Sequence, residues 1–300
     1  MIVVAANPYS GAADNRRRVD ALVRELARLG VPPPRVVWDA RERSALLADA
    51  AAMAHCRAVV AAGGDGTVAE VVNELPASTP LAVLPAGNEN LFAAAYGFRR
   101  DPAVLARALA SGQTRTLDLA RASARGGSRR FALMLSAGFD ADVVRRVAVW
   151  RAAGSGLRRV RRASYVAPIA AALLAYRHPP VRVITADATA SGAYCVIANA
   201  PAYALGVPMS PGARADDGVL DWVVFERSSV VAFASYCFAV WRGRHLTRAD
   251  VRTGRATRLT LESAVPVPVQ VDGDPLGTTP VDVDVLPGAL TVVATAMPKS

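Results

Sequence analysis

The sequence predicts two domains, an α/β domain on a doubly wound, largely parallel sheet and then a β-rich, sandwich-like domain. Three observations lead there. Short apolar runs alternate with amphipathic stretches through the first third of the chain, the signature of repeated strand–helix crossovers. Three of the early strands end in glycine-containing turns. Beyond Arg115 the apolar segments become mostly strand-like. The expected α/β domain covers 1–118, with a C-terminal segment of about 285–300 returning to it, and the β-rich domain covers 119–284.

Ile2–Ala6 reads as the first strand, and Asn15–Leu29 as a helix with Val19, Leu22, Val23, Leu26 and Leu29 on one face. A second strand at Val36–Trp38 precedes a helix over Ser44–His55, with Ser44 as its N-cap. Ala58–Ala62 is a third strand; the glycine turn Gly63-Gly64-Asp65-Gly66-Thr67 and a helix follow. Pro80–Leu84 is a strand, Asn90–Tyr96 opens a helix, and Asp101–Leu109 is helical with Pro102 in its first turn. Thr116–Ala122 and Arg129–Ser136 form a hairpin across a glycine- and serine-rich connection. Helical stretches around Asp142–Ala175 and Val230–Arg242 interrupt the later strands, and Val230–Trp241 reads as a buried or interfacial helix.

Three hundred residues, 52% hydrophobic and 20% charged, describe a globular chain with a sizeable core and exclude a disordered one. The net charge of +10 is almost all arginine, since Lys299 is the only lysine, and it points to an anionic partner. Cys56, Cys195 and Cys237 are odd in number and set in apolar surroundings, so reduced thiols and a cytoplasmic setting are expected. The histidines have no metal-ligand spacing, and no apolar run approaches the length of a membrane span.

The chemistry concentrates in the turns. Strand, glycine turn and helix start is the geometry in which backbone N–H groups converge on an anion. Glycines let the backbone approach a phosphate without Cβ clashes. Asp65 beside a phosphate calls for a cation between them, so phosphate plus divalent metal is the expected ligand set. Asn7-Pro8-Tyr9-Ser10-Gly11 and Pro85-Ala86-Gly87-Asn88-Glu89-Asn90 end the first and fourth strands. In a doubly wound sheet such turns share the carboxyl edge, where ligands bind. Neither G-x-x-x-x-G-K-[ST] nor G-x-G-x-x-G occurs. No P-loop lysine is available, so metal, N–H groups and hydroxyls must manage the phosphate charge.

These residues resemble the diacylglycerol-kinase catalytic superfamily, which includes bacterial lipid kinases and sphingosine kinases. The resemblance rests on Asn7-Pro8 with Ser10-Gly11, Gly63 to Thr67 with Glu70-Val71, and Pro85-x-Gly87-x-x-Asn90-x-Phe92-Ala93. It continues through Leu117-Asp118, Gly138-Phe139-Asp140-Ala141, Pro211-x-Ala213, Asp217-Gly218-x-Leu220-Asp221 and Val271-Asp272-Gly273-Asp274. It implies an NAD-kinase- or phosphofructokinase-like first sheet and ATP- and Mg2+-dependent phosphorylation of a lipid hydroxyl. Gly63, Gly64, Asp65, Gly66 and Thr67 would hold the ATP phosphates, with Asn7, Gly87, Asn88 and Asn90 beside them. Asp217, with the carbonyls of Arg214 and Val219, would match a structural magnesium site. Asp65 and Asp118 would face the phosphates through metal and water, and Asp272 would be the general base. The third turn departs from the family pattern, with Asn88 in place of a threonine and Leu91 in place of an aspartate.

From Val143 to Ala186 there is no acidic residue. The arginines of the Arg145–Arg162 part, interleaved with Val147, Trp150 and Leu157, suit an anionic membrane surface. No aromatic reading platform supports nucleic acid, and a homodimer stays open. The expectation is a cytoplasmic kinase, peripheral at the inner membrane face, acting on diacylglycerol or a related lipid alcohol. The alternatives are a nucleotide- or lipid-binding homologue with little turnover and a soluble-substrate kinase resembling NAD kinase.

Overall fold

A computed structural model describes residues 1–10, 15–152, 169, 179–201, 203 and 206–295. The chain forms two compact units, Met1–Asp118 with Gly288–Ser300, and Leu119–Pro287.

In the first unit, β1 (Ile2–Ala6), α1 (Asn15–Arg28), β2 (Arg35–Val37), α2 (Ala40–Ala48), α3 (Ala50–Met53), β3 (Ala58–Gly63), α4 (Asp65–Glu74), β4 (Leu81–Pro85), α5 (Leu91–Tyr96) and α6 (Pro102–Ser111) follow one another. The sheet runs β2-β1-β3-β4 with every pairing parallel. The end of a long last strand joins it, Val292 pairing in parallel with Leu81. β1, β3 and β4 are buried along their whole length. That explains their continuous aliphatic runs, because both faces of a parallel sheet are covered.

α2 starts earlier than its expected N-cap at Ser44. Asp39 caps it instead, accepting from the N–H groups of Arg41 and Glu42. Ser44 lies inside the helix and donates to the Ala40 carbonyl and to Glu74. An Asp one residue before the helix satisfies two orphan donors, and a mid-helix serine turns to its own i−4 carbonyl.

In the second unit, β5 (Thr114–Ala124) enters from the first and pairs with β6 (Gly127–Phe131). Then come β7 (Met134–Ala137), α7 (Phe139–Ala152), β8 (Val181–Ile184), β9 (Thr189–Gly192), β10 (Tyr194–Ala198), β11 (Leu220–Phe225) and α8 (Val230–Trp241). β12 (Val251–Ala256), β13 (Arg258–Glu262), β14 (Pro268–Val271), β15 (Asp274–Thr278) and β16 (Val281–Val293) complete it. One sheet is antiparallel in the order β12-β11-β10-β7-β14-β15. In the other layer β16 pairs with β13, β13 with β8, and β8 with β9. Phe131, Leu135, Val181, Ile197, Leu220 and Val283 are among the side chains of the core cluster formed by strands of both sheets, so the unit is a β-sandwich.

The stretch read as one strand over Arg129–Ser136 is two, and the reason is a side chain far away in sequence. Asp272 takes the N–H groups of Ala132, Leu133 and Met134, which removes three donors from any ladder where β6 ends and β7 begins.

Candidate active site

In the first unit the parallel register lines up the turns. Ala6 pairs with Ala62, and Gly63 with Pro85, so the turns after β1, β3 and β4 share the carboxyl edge. The Asn7 N–H donates to the Ala62 carbonyl at 3.0 Å, and the Ala86 N–H to the Gly63 carbonyl at 2.8 Å. A Cβ on Gly87 would lie 2.6 Å from the Gly64 Cα, and one on Gly63 would lie 2.3 Å from the Thr67 Oγ1. Two turns touch backbone to backbone, which only glycine permits. Gly66 faces open space.

The two helix starts at this edge differ. Gly64 caps α4 with no side-chain bond, leaving its first N–H groups and the positive end of its dipole for an anion. The start of α5 is closed by protein, because the Asp65 Oδ1 accepts from the Phe92 N–H at 3.1 Å. Burial pushes the Asp65 carboxyl above its ordinary range, the N–H groups of Phe92, Leu91 and Asn90 pull it back, and Glu89 adds to the rise. Asn90 sits in the left-handed region at φ 53. Its amide closes the turn on itself, accepting from the Gly87 N–H and donating to the Gly87 carbonyl, each at 2.8 Å.

Asn7 reaches the Thr67 Oγ1 at 3.2 Å. Asn15, which sequence reasoning missed, donates to the carbonyls of Asn7 and Ala62 and ties the start of α1 to this edge. Arg100 was also missed; its guanidinium binds the Gly87 carbonyl at 2.5 Å and puts a cation beside the third turn. Asn88 is exposed and Leu91 is buried. Asp118 is buried, and its Oδ1 accepts from the Gly288 N–H at 2.7 Å.

In the second unit Asp272 and Gly273 are the two-residue loop between β14 and β15. Both have positive φ, 46 and 87, the geometry of a type I′ hairpin turn. The Asp272 carboxylate accepts from the N–H groups of Ala132 (2.8 Å), Leu133 (3.0 Å) and Met134 (2.9 Å). A carboxylate offers about four lone-pair sites, so these bonds leave little capacity spare and fix its orientation.

A buried polar chain supports the turn. Gln270 accepts from the Gly273 N–H at 2.8 Å and donates to Ser136 at 2.7 Å; Ser136 donates to the Asp140 Oδ2 at 2.7 Å. Tyr203 donates to the same oxygen and accepts from Tyr194 at 2.7 Å. The Asp140 Oδ1 is out of contact with solvent and has no partner among the described residues. Burial pushes the Asp140 carboxyl up, opposed by the bonds from Tyr203 and Ser136. Asp140 was visible only as part of a motif, and nothing local announced its link to the Asp272 turn.

Two family models divide the chain. The diacylglycerol kinase catalytic domain matches residues 1–122, and the YegS C-terminal NAD kinase beta sandwich-like domain matches residues 134–294. The chain belongs to the diacylglycerol kinase family. A family relative named diacylglycerol kinase, from Mycobacterium tuberculosis, is 27% identical over 299 residues, covering 97% of this chain and 94% of its own. The crystal structure of a candidate diacylglycerol kinase from Bacillus anthracis superposes with a TM-score of 0.76 at 20% identity, over 98% of this chain and 95% of that one. An NAD kinase from Archaeoglobus fulgidus, solved in complex with ATP, shares the fold at a TM-score of 0.53 and 10% identity, over 99% of this chain and 94% of that one. The NAD-kinase-like architecture of the lipid-kinase family is thus present throughout.

The magnesium site implied at Asp217 does not fit the residues as they stand. The Asp217 Oδ2 is ion-paired with the Arg255 guanidinium, and its Oδ1 accepts from the Val219 N–H at 3.3 Å. Arg214 pairs with Asp216. Arg255 also lies 3.6 Å from Asp221, whose carboxyl burial pushes up, countered by Arg255. A cation is therefore already present between Asp217 and Asp221, and it is an arginine. Among the described residues no three acidic, histidine or cysteine side chains cluster as a metal site.

The expected membrane stretch Arg145–Arg162 is only partly visible, since 153–162 lie outside the described residues. Arg145 and Arg146 both pair with Asp142 at 2.6 Å, which spends charge counted for lipid, while Val149 and Trp150 are exposed. No helix among the described residues is long and apolar enough to cross a membrane.

Proposed function

We propose that this chain transfers the γ-phosphoryl group of ATP to the hydroxyl of a lipid alcohol, diacylglycerol or a close relative, at the inner, anionic membrane face. The observation that carries the reading is the contact of Gly64 with Gly87 beside the uncapped start of α4. It offers N–H groups and a helix dipole to a polyphosphate with no side chain in the way. Gly63, Gly64, Gly66 and Thr67 hold the phosphates in this reading, with Asn7, Asn88 and Asn90 along the rim. Asp65 keeps the cradle in shape by fixing the start of α5, and Asp118 faces the phosphates through magnesium and water.

Magnesium enters as the counter-ion of the nucleotide and neutralises charge on the phosphates, the usual way this cation is held. Asp272 accepts the proton of the attacking hydroxyl, its orientation set by the three N–H groups that bind it. The Arg145–Arg162 stretch holds the protein near anionic lipid. The commitment of each acidic side chain to protein donors favours one second reading, a nucleotide-binding homologue with little turnover.

The test is transfer from γ-labelled ATP with magnesium to a panel of lipid alcohols and to NAD, for the parent, Asp272→Asn and Asp65→Asn. Labelled lipid phosphate from the parent, lost in Asp272→Asn, supports the proposal. Tight ATP binding with no labelled product selects the binding homologue, and labelled NADP the soluble-substrate kinase.

A further inference from the structure

Helix α8 is apolar apart from Ser235 and the Tyr236 hydroxyl, yet only one side is covered. Ala232, Tyr236, Ala239 and Val240 are buried. Phe233 packs on Phe139 with ring centroids 4.3 Å apart, and Tyr236 on Phe225 at 4.8 Å. Val230, Val231, Ala234, Cys237, Phe238 and Trp241 form the other face, at the i, i+1, i+4, i+7, i+8, i+11 spacing of a single stripe. Val231 is 80%, Trp241 70% and Phe238 60% exposed. Scattered exposed apolar side chains need no explanation, but a contiguous aromatic and aliphatic stripe marks an interaction surface.

The charges around the stripe name its partner. From Glu226 to Arg252 there are five arginines and two acidic residues. Glu226 pairs with Arg252, and Asp250 with Arg227 and Arg248, so both acids are already neutralised. Arg242 and Arg244 close the helix and make no ion pair among the described residues; Arg242 lies over the Phe238 ring at 6.0 Å, and Phe238 meets Trp241 at 5.8 Å. A second copy of this chain laid on the stripe would bring no unpaired acid from its own α8 surroundings to meet them. A bilayer with anionic head groups supplies both needs at once. Its acyl boundary takes the valines and aromatic rings, and its phosphates take the guanidinium groups.

We infer that α8 is a membrane-docking helix, inserting Val231, Phe238 and Trp241 into the interface of an anionic bilayer with Arg242 and Arg244 on the lipid phosphates. This extends the membrane-surface reading above, on which it rests, by naming the element that enters the lipid, and its test needs no turnover. Phosphatidylcholine vesicles with and without phosphatidylglycerol are sedimented with the parent, with Val231→Glu/Phe238→Glu and with Arg242→Gln/Arg244→Gln. Brominated lipid reports Trp241 in the parent and in Trp241→Phe.

The parent is expected to bind only the phosphatidylglycerol vesicles, and less as salt rises. The glutamate pair is expected to lower partitioning by at least about tenfold with the melting temperature unchanged, since both side chains are exposed. The glutamine pair should weaken binding and flatten its salt dependence, and Trp241→Phe should remove most of the quenching. Vesicle binding unchanged in the glutamate pair overturns the inference, as does a parent that binds no vesicle. A shift from dimer to monomer in that pair, with vesicle binding intact, also overturns it and assigns the stripe to a second copy. A chain that phosphorylates lipid but ignores α8 sinks the inference and leaves the kinase reading standing; one that docks through α8 without phosphorylating anything does the reverse.

Discussion

The glycine edge of the first unit and the Asp272 turn of the second are built on opposite principles. The edge works through missing atoms. Gly64 and Gly87 meet where a Cβ on Gly87 would not fit and one on Gly64 would be tight, and the start of α4 is left without a side-chain cap. The turn works through added bonds. Three N–H groups hold its carboxylate, and the Gln270–Ser136–Asp140 chain holds the loop behind it. In the proposed function the bare edge takes a large, highly charged ligand, and the over-determined turn aims one oxygen.

Changes that fill the bare site should therefore cost most. Gly87→Val puts a branched side chain where a Cβ alone would be 2.6 Å from the Gly64 Cα. We expect about 1–3 kcal/mol of overpacking, felt as roughly a ten- to hundredfold weaker ATP affinity by calorimetry. An unchanged affinity would separate the cradle from the nucleotide.

Next comes the over-determined site. Asp272→Asn is not a silent swap, because whichever way the amide lies, its NH2 meets a backbone N–H. One unsatisfied donor pair costs roughly 1–3 kcal/mol, so denaturant unfolding should show that loss together with the loss of transfer.

A smaller effect concerns pH. Burial raises the Asp140 carboxyl above its ordinary 3.8. A raised acid binds its proton more tightly folded than unfolded, so the stability it contributes is full below the ordinary value and is lost as pH rises through the folded one. Relative to Asp140→Asn, the parent should become less stable as pH is raised from the ordinary carboxylate value towards neutrality. A difference independent of pH would show that the carboxyl does not titrate there.

The smallest change is Arg255→Gln. Its pairs are half exposed, so stability should move by less than about 1 kcal/mol. The vacated Asp217–Asp221 pair should then gain a magnesium-dependent rise in melting temperature that the parent lacks. A rise in the parent would mean that metal displaces Arg255.

The same contrast explains what the sequence made legible. A glycine after a strand is a local signal, so the residue pattern alone places Gly63, Gly64 and Gly87 at one edge. The α/β and β-sandwich classes were legible too, from unbroken aliphatic runs in β1, β3 and β4 and short strand-like segments later. The anchors were not. Asp272 finds its donors 138 to 140 residues away, Asp65 spends its carboxylate on the start of α5, and Asp217 on Arg255. The sequence pattern put the cap at Ser44, and only the folded helix shows that Asp39 holds the two donors. In α8 nothing polar marks the outward face, so its exposure could not be read from its pattern.

In the proposed mechanism nucleotide holding and proton removal are separate tasks of the two units. Parallel measurement of ATP affinity and of lipid phosphorylation in Gly64→Ala and Asp272→Asn tests it most directly. Gly64→Ala is expected to lose ATP affinity, and Asp272→Asn to keep it while losing transfer by at least about a hundredfold. Transfer at the parental rate by Asp272→Asn, or an equal loss of ATP affinity in both variants, would contradict it.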